Sequence, residues 1–212
     1  MSKYFNWKNG IDKKELEYCV QILQNGGVIV FPTETVYAIA VNATLESAVE
    51  KLYKIKNRSL KKPVNIMVGS AAQIKEYANI NNELEKNIIE NFMPGPITII
   101  LEKKENISNL VTANNSTVGV RIPNNKIAVE ILKKSNFPIV ASSANLSGEQ
   151  SGINIEQIKK DFDDVVDIFI DGGISKLSNP STIVEIINNE IVIHRQGNIT
   201  ISEIKNKIYK GE

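Results

Sequence analysis

The sequence is poor in the residues that most often carry chemistry. It has a single cysteine, Cys19, a single histidine, His194, and one tryptophan. One cysteine excludes an internal disulfide and points to a reducing compartment, the cytoplasm. No Cys/His cluster suggests zinc, and no metal site is expected. There is no P-loop and no GxGxxG, so the standard nucleotide signatures are missing. No apolar run is long enough to cross a membrane, and the opening MSKYFNWKNGIDKKELE reads as too polar for a signal peptide. Neither sign of charge dominates: the formal net charge is +1, which argues against bulk nucleic-acid binding. Arginine is scarce, with Arg58, Arg121 and Arg195 set against 22 lysines. A planar guanidinium grips carboxylate or phosphate in two places, as lysine does not. Three isolated arginines in a lysine-rich chain are therefore candidates for anion recognition, with chance placement or structural ion pairing as the alternative.

What is present organises around Gly26 to Ala40, GGVIVFPTETVYAIA. Val28 to Phe31 form a short apolar run after a Gly-Gly break, the pattern of a buried strand. Pro32 cannot donate to a sheet ladder and ends it. Thr33, Glu34, Thr35 and Tyr37 then emerge at a strand end, where open α/β sheets bind ligands.

The remaining pattern alternates helices and strands. Asp12 and Glu15 open a helix with Leu16, Cys19, Val20 and Leu23 on one face, so Cys19 reads as core. Thr44 is expected to cap a second helix, with Ala48, Val49, Leu52 and Ile55 inward. Lys51, Lys54, Lys56, Arg58, Lys61 and Lys62 fall in one window without an intervening acid, and a solvated helix face is the plainest explanation of such a run. Strands are expected at Val64–Val68, Ile97–Leu101, Val118–Ile122, Pro138–Ala141 and Val165–Ile170. Helices are expected from Ser70, Asn82, Lys126 and Asn154, and Lys103 to Ser116 is expected to be a loop. Asp171-Gly172-Gly173 reads as a tight turn and His194 as packing. Asn188-Asn189 joins Thr182–Ile187 to Glu190–Arg195 as a hairpin, and Thr200 with Glu203 opens a last helix. With no repeat or linker, this predicts one α/β domain over residues 1–212, its core about 15–205: a twisted mixed β-sheet with flanking helices.

Six ordered segments resemble the YrdC-like family of threonylcarbamoyl-AMP synthases. They are PTETVY at 32–37, Lys56-Asn57-Arg58, Thr117 to Pro123 (TVGVRIP), Ser142 to Gly148 (SSANLSG), Pro180-Ser181-Thr182 and Arg195-Gln196-Gly197. Each is weak alone; in order, over about residues 15 to 200, they are specific. The chain departs from the family at Ala38-Ile39-Ala40, where Gly-Leu-Gly is usual, and at Asn57-Arg58-Ser59, where Gly-Arg-Pro is usual. Lys62 replaces a frequent asparagine, and Met67 stands where a histidine is common. The chain ends at Glu212 soon after the last expected helix, so the single-domain form of the family is expected.

The resemblance implies synthesis of threonylcarbamoyl-AMP and pyrophosphate from L-threonine, bicarbonate and ATP with Mg2+. The product would feed tRNA N6-threonylcarbamoyladenosine through downstream tRNA threonylcarbamoyl-transfer proteins. Lys56 and Arg58 are the implied catalytic residues. ATP is implied to meet Lys56, Arg58, Lys62, Thr117, Ser143, Asn145, Ser151 and Arg195. Threonine is implied to meet Thr35, Met67, Arg121, Ala141 and Ser181. If strand Val64–Val68 alternates, Asn65 and Met67 look toward the ligand cleft. Two other readings compete. One is a module binding double-stranded RNA or tRNA through the basic window, without synthase activity, for which aromatic stacking motifs are lacking. The other is a carbamoyl-adenylate-handling domain of a carbamoyltransferase. Weak tRNA contact remains compatible with the first reading, and no membrane association is expected.

Overall fold

The computed structural model describes residues 2–209; Met1 and residues 210–212, including the expected terminus Glu212, lie outside it. In chain order the elements are β1 (Lys3–Asn6), α1 (Lys13–Gln24), β2 (Ile29–Phe31), β3 (Ala38–Asn42), α2 (Glu46–Ile55) and β4 (Asn65–Met67). There follow α3 (Ala71–Tyr77), β5 (Ala78–Asn79), α4 (Glu83–Phe92), β6 (Ile97–Lys103), α5 (Asn109–Thr112), β7 (Thr117–Arg121) and α6 (Lys126–Lys134). The chain closes with β8 (Ile139–Ser143), α7 (Ile155–Phe162), β9 (Ile168–Asp171), β10 (Thr182–Ile187), β11 (Glu190–Arg195) and α8 (Ile201–Tyr209).

The strands form one mixed sheet in the order β1-β9-β2-β3-β8-β4-β7-β6-β10-β11, with β5 paired to β6. Pairs β1/β9, β2/β9, β4/β7 and β6/β10 are parallel and the others antiparallel. The α/β reading with a mixed sheet and flanking helices holds.

Local chemistry explains the element ends. Asp12 accepts hydrogen bonds from the Lys14 and Glu15 amides and starts α1, as an N-cap carboxylate should. Ser70, Asn82, Asn125 and Asn154 cap their helices in the same way. Thr200 and Glu203 form a reciprocal box: each side chain bonds the other residue's amide. Asn188 and Asn189 both sit at positive φ (52° and 62°), the conformation a two-residue hairpin turn requires. Asp171 accepts from the Gly173 amide and closes the expected turn.

Two expectations change, and strands appear that the sequence reading did not name. Thr44 does not cap α2; its hydroxyl donates to Asn42 Oδ1, and Leu45 starts the helix without a side-chain cap. Ala38-Ile39-Ala40 belongs to a strand, β3. The segment from 103 to 116 holds the short helix α5. The polar N-terminus supplies an edge strand, β1, beside β9.

The sheet divides the core in two. Helices α2, α3, α4, α5, α7 and α8 contribute to one buried cluster, with Ile39, Ile66, Ile99, Val120, Val140 and Val184 from the sheet. Helices α1 and α6 contribute to the other, where Cys19 lies fully buried among Leu16, Leu23, Ile131 and Ile168. Burial pushes the Cys19 thiol up to about 12, so it stays protonated and serves as packing. This second face is covered by helix only over part of the sheet. Strand alternation then presents Ala141, Asn65, Met67, Arg121, Thr98, Ile100 and Ile183 to an open cavity, while their neighbours in sequence face the six-helix side.

Candidate active site

The cavity is about 480 Å³ and is floored by β3, β8, β4, β7, β6 and β10. All three arginines line it. A second cavity of about 320 Å³ adjoins it and shares Arg58, Lys62, Ser142, Ser143, Pro180 and Arg195. The paired hollows bring together residues from all six motif segments.

The inner end of the first cavity is built by the 32–37 loop. Thr33 donates its hydroxyl to the Val36 carbonyl at 2.6 Å and lies 2.8 Å from the Thr35 hydroxyl. A hydroxyl has one proton, so Thr35 is the donor in that pair. Arg121 Nη2 donates to Thr35 Oγ1 at 3.0 Å. Thr35 thus faces the cavity with its remaining lone pair, as an acceptor. The loop is anchored from outside: Ser175 Oγ donates to the Thr33 carbonyl and the Leu177 amide to that of Glu34.

Arg121 is buried on β7, directly beside Met67 of β4 in the parallel register. Its Nε donates to the Gly95 carbonyl at 3.2 Å, and Nη2 lies 2.8 Å from Glu34 Oε1. Burial pulls Arg121 below the ordinary guanidinium range and the Glu34 carboxylate opposes that shift. The 2.8 Å approach is a charge contact off the hydrogen-bonding direction; neither Glu34 oxygen has a hydrogen-bond partner among the described residues. The opposite wall carries Ser181, whose hydroxyl is 2.8 Å from Thr98 Oγ1. Arg195 donates from Nε and Nη2 to the Ser181 carbonyl at 3.1 and 2.9 Å. Burial first, then the charges of Arg121 and Arg58, pull Arg195 downward; the three cations feel one another across the cavity. Gly197 is sterically required here: a Cβ would stand 2.3 Å from the Pro180 carbonyl oxygen, against backbone, whereas one on Gly119 would displace the Asn65 side chain, whose Oδ1 lies 2.1 Å away.

The basic window does not form one solvated face. Lys51 pairs with Asp167 at 3.4 Å on the surface. Lys56 is buried, and its ammonium donates to the carbonyls of Ser143 and, at 2.6 Å, Asn145. It ties the end of α2 to the 142–148 segment while lining the second cavity. Burial, and then Arg58, pull it from 10.5 to about 8. Arg58 is held by the carbonyls of Lys62 and Pro63, and with Lys61 and Lys62 it forms the cationic wall of the first cavity.

Of the residues implied for threonine, Thr35, Met67, Arg121, Ala141 and Ser181 all line the first cavity. Of those implied for ATP, Lys56, Arg58, Lys62, Ser143, Asn145, Ser151 and Arg195 line the second. Thr117 lines neither: it shares the face of Gly119 and Arg121 but pairs with Glu102, one step beyond the Ile100 that borders the cavity. His194 is not packing. Its side chain is 42% exposed at the cavity rim, with Nε2 2.6 Å from Glu185 Oε2. Sequence reasoning missed Thr98, legible as the cavity-facing residue of β6, and the Glu34–Arg121 contact, which has no sequence signal. Among the described residues no group of three or more His, Cys, Asp or Glu side chains is placed to hold a metal, and no helix is long and apolar enough to cross a membrane.

The Sua5/YciO/YrdC family model, described as telomere recombination, matches residues 21–197. The chain belongs to this family. A Methanocaldococcus jannaschii relative is 40% identical over 192 residues, 91% of this chain and 90% of its own. The threonylcarbamoyl-AMP synthase of Psychromonas ingrahamii is 30% identical over 82% of this chain and 93% of its own length. That of Pyrococcus abyssi is 31% identical over 98% of this chain, which spans only 61% of the Pyrococcus enzyme. The crystal structure of P. abyssi Sua5 complexed with L-threonine superposes with a TM-score of 0.94 at 30% identity, covering 98% of this chain and 61% of that one. The fold and family implied by the six motif segments stand.

Proposed function

We propose that this protein is an L-threonylcarbamoyladenylate synthase, a nucleotidyltransferase that makes threonylcarbamoyl-AMP and pyrophosphate from L-threonine, bicarbonate and ATP. One observation carries the reading: the only three arginines converge on a cavity that opens into a second hollow lined by Lys56, Ser143, Asn145 and Ser151.

The chemistry fits the arrangement. Threonine lies in the inner cavity with its carboxylate on the Arg121 fork. Its amine faces the acceptor lone pair of Thr35, and Ser181 borders the same space. Met67 and Ala141 offer apolar contact to the methyl group. The deprotonated amine attacks the carbon of bicarbonate, water leaves, and a carbamate forms. A carbamate oxygen then attacks the α-phosphorus of ATP, and pyrophosphate departs. No protein nucleophile is required; positioning and neutralisation of phosphate charge supply the catalysis. Arg58, Lys62 and Arg195 are placed to hold the phosphates, and Lys56 supports that wall from below. ATP enters as its Mg2+ complex, the ion held mainly by phosphates and water. The product is a mixed anhydride, consumed by proteins that transfer threonylcarbamoyl to tRNA, which sets the work in the cytoplasm.

A plain RNA-binding module is less well supported, because the basic window is divided between a surface ion pair, a buried tether and the cavity wall. The test is omission. Pyrophosphate release by the pure protein should require threonine and bicarbonate together; equal release without either contradicts the reading.

A further inference from the structure

Glu34 is a buried acid next to this site that the reaction as proposed does not use; it contacts Arg121 but borders a separate hollow of about 170 Å³, which Lys126 and Lys176 also line. It is 7% exposed, it lies against Arg121, and both its oxygens lack a hydrogen-bond donor among the described residues. Such a placement is costly. Stability does not explain it, since an apolar residue of similar volume in place of one partner and a neutral one in place of the other often does as well or better. The cost falls beside one end of a cavity that must hold two ligands of very different charge, a zwitterionic amino acid and a polyanionic triphosphate.

Resting on the synthase reading, we propose that Glu34 is a specificity-determining residue that sorts the two ligands by charge. Arg121 stands at the inner end, lining the first cavity alone, whereas Arg58, Lys62 and Arg195 line both hollows. Each of these cations attracts phosphate. A triphosphate carries several negative charges and threonine, as a zwitterion, none, so an uncompensated Arg121 would hold polyphosphate in the amino-acid site. The Glu34 carboxylate, 2.8 Å behind Arg121, brings that end close to neutral. It leaves the N–H groups of Arg121 that are not bonded to Gly95 and Thr35 for directional bonds to a carboxylate, while removing the net field that gathers phosphate. Among the described residues no acid pairs with Arg58 or Arg195, whose guanidinium groups are held by carbonyls; Glu149 borders the second hollow without pairing with either, so the outer end keeps a net positive field. Glu34 touches no substrate atom in this account; it acts through Arg121, as a positioning and sorting residue.

The experiment uses calorimetric titration of L-threonine and of inorganic pyrophosphate, singly and in competition, into the wild-type protein and the Glu34→Gln variant. In the wild type, pyrophosphate saturating the nucleotide site should leave threonine affinity within about twofold. In Glu34→Gln, pyrophosphate should become competitive with threonine, and threonine affinity in its presence should fall about tenfold or more. A merely structural role lowers both affinities and stability together without changing which ligand competes with which. Glu34→Asp, which keeps the charge, should restore the wild-type pattern of competition. If Glu34→Gln does not fold, Glu34→Met, uncharged and of similar volume, carries the same competition titration. Displacement of threonine by pyrophosphate from the wild type overturns the proposal, as does a Glu34→Gln protein with no new competition. A wild type that binds pyrophosphate but no threonine instead removes the synthase reading itself.

Discussion

Arg121 carries the sharpest test of how the inner cavity is built. Arg121→Ala removes the only cation within ion-pair distance of the buried Glu34 carboxylate among the described residues. Leaving one partner of a buried pair costs about 3–5 kcal/mol, a large share of the ~5–15 kcal/mol that holds a domain folded. Arg121→Lys is the informative change. It keeps the charge near Glu34, but a single ammonium cannot donate to the Gly95 carbonyl, to Thr35 Oγ1 and to a substrate carboxylate in the fork geometry. The expected stability cost is about 1–3 kcal/mol, from one or two orphaned buried partners. The lost fork on the substrate costs on the order of 1–3 kcal/mol of transition-state stabilisation, about 5-fold to 150-fold in kcat/KM for threonine. The assay is pyrophosphate release with threonine varied at saturating ATP, then ATP varied at saturating threonine, alongside urea unfolding. The KM for threonine should rise and that for ATP should stay within about twofold. An equal rise in both, or lost stability with threonine kinetics intact, would refute the assignment of Arg121 to the amino acid.

Other outcomes follow from burial and charge. Lys56 sits at about 8 rather than 10.5, so below pH 8 native and unfolded chains both carry its proton and the burial penalty stands in full; above that the native chain sheds it first, the unfolded chain binds more protons, and stability rises. Cys19, at about 12 rather than 9.0, works in the opposite sense above pH 9; between pH 8 and 9, wild type should therefore gain about 1 kcal/mol relative to Lys56→Met in urea unfolding, and parallel pH curves would contradict this. Cys19 should resist thiol reagents in the native protein and react only as fast as the chain unfolds; rapid native-state labelling would disprove its burial. Met67→Ala should reduce the preference for threonine over serine by about 1 kcal/mol, roughly fivefold in kcat/KM, if its thioether meets the methyl group; an unchanged ratio would remove that contact.

Much of the architecture was legible because it depends on near neighbours. The caps at Asp12, Ser70, Asn82 and Asn154, the Asn188-Asn189 turn and the Thr200/Glu203 box are decided within four residues of sequence. The parts that escaped depend on distant partners. Strand β1 is four residues of mostly exposed edge, and its partner β9 lies more than 160 positions away. Strand β3 begins with alanines, which have little strand preference of their own; it is fixed by pairing with β2 and β8. Thr44 misled because Asn42, two residues earlier, captured its hydroxyl.

The site follows the same division. Rarity marked the three arginines, and strand alternation turned Asn65 and Met67 toward the cavity. Spacing gave no sign that Lys56 would spend its ammonium on two carbonyls, that Thr117 would fall one pair beyond the cavity, or that His194 would stand at the rim against Glu185. Each of those depends on where a second, remote segment crosses the first.

The synthase reading is tested most directly by following the carbon of bicarbonate. The pure protein is incubated with ATP, Mg2+, L-threonine and isotope-labelled bicarbonate, and the adenylate products are resolved by mass spectrometry. The account predicts a threonine-dependent adenylate carrying one labelled carbon per AMP, formed in step with pyrophosphate. Pyrophosphate with unlabelled AMP alone, or ADP and phosphate in place of pyrophosphate, would contradict it.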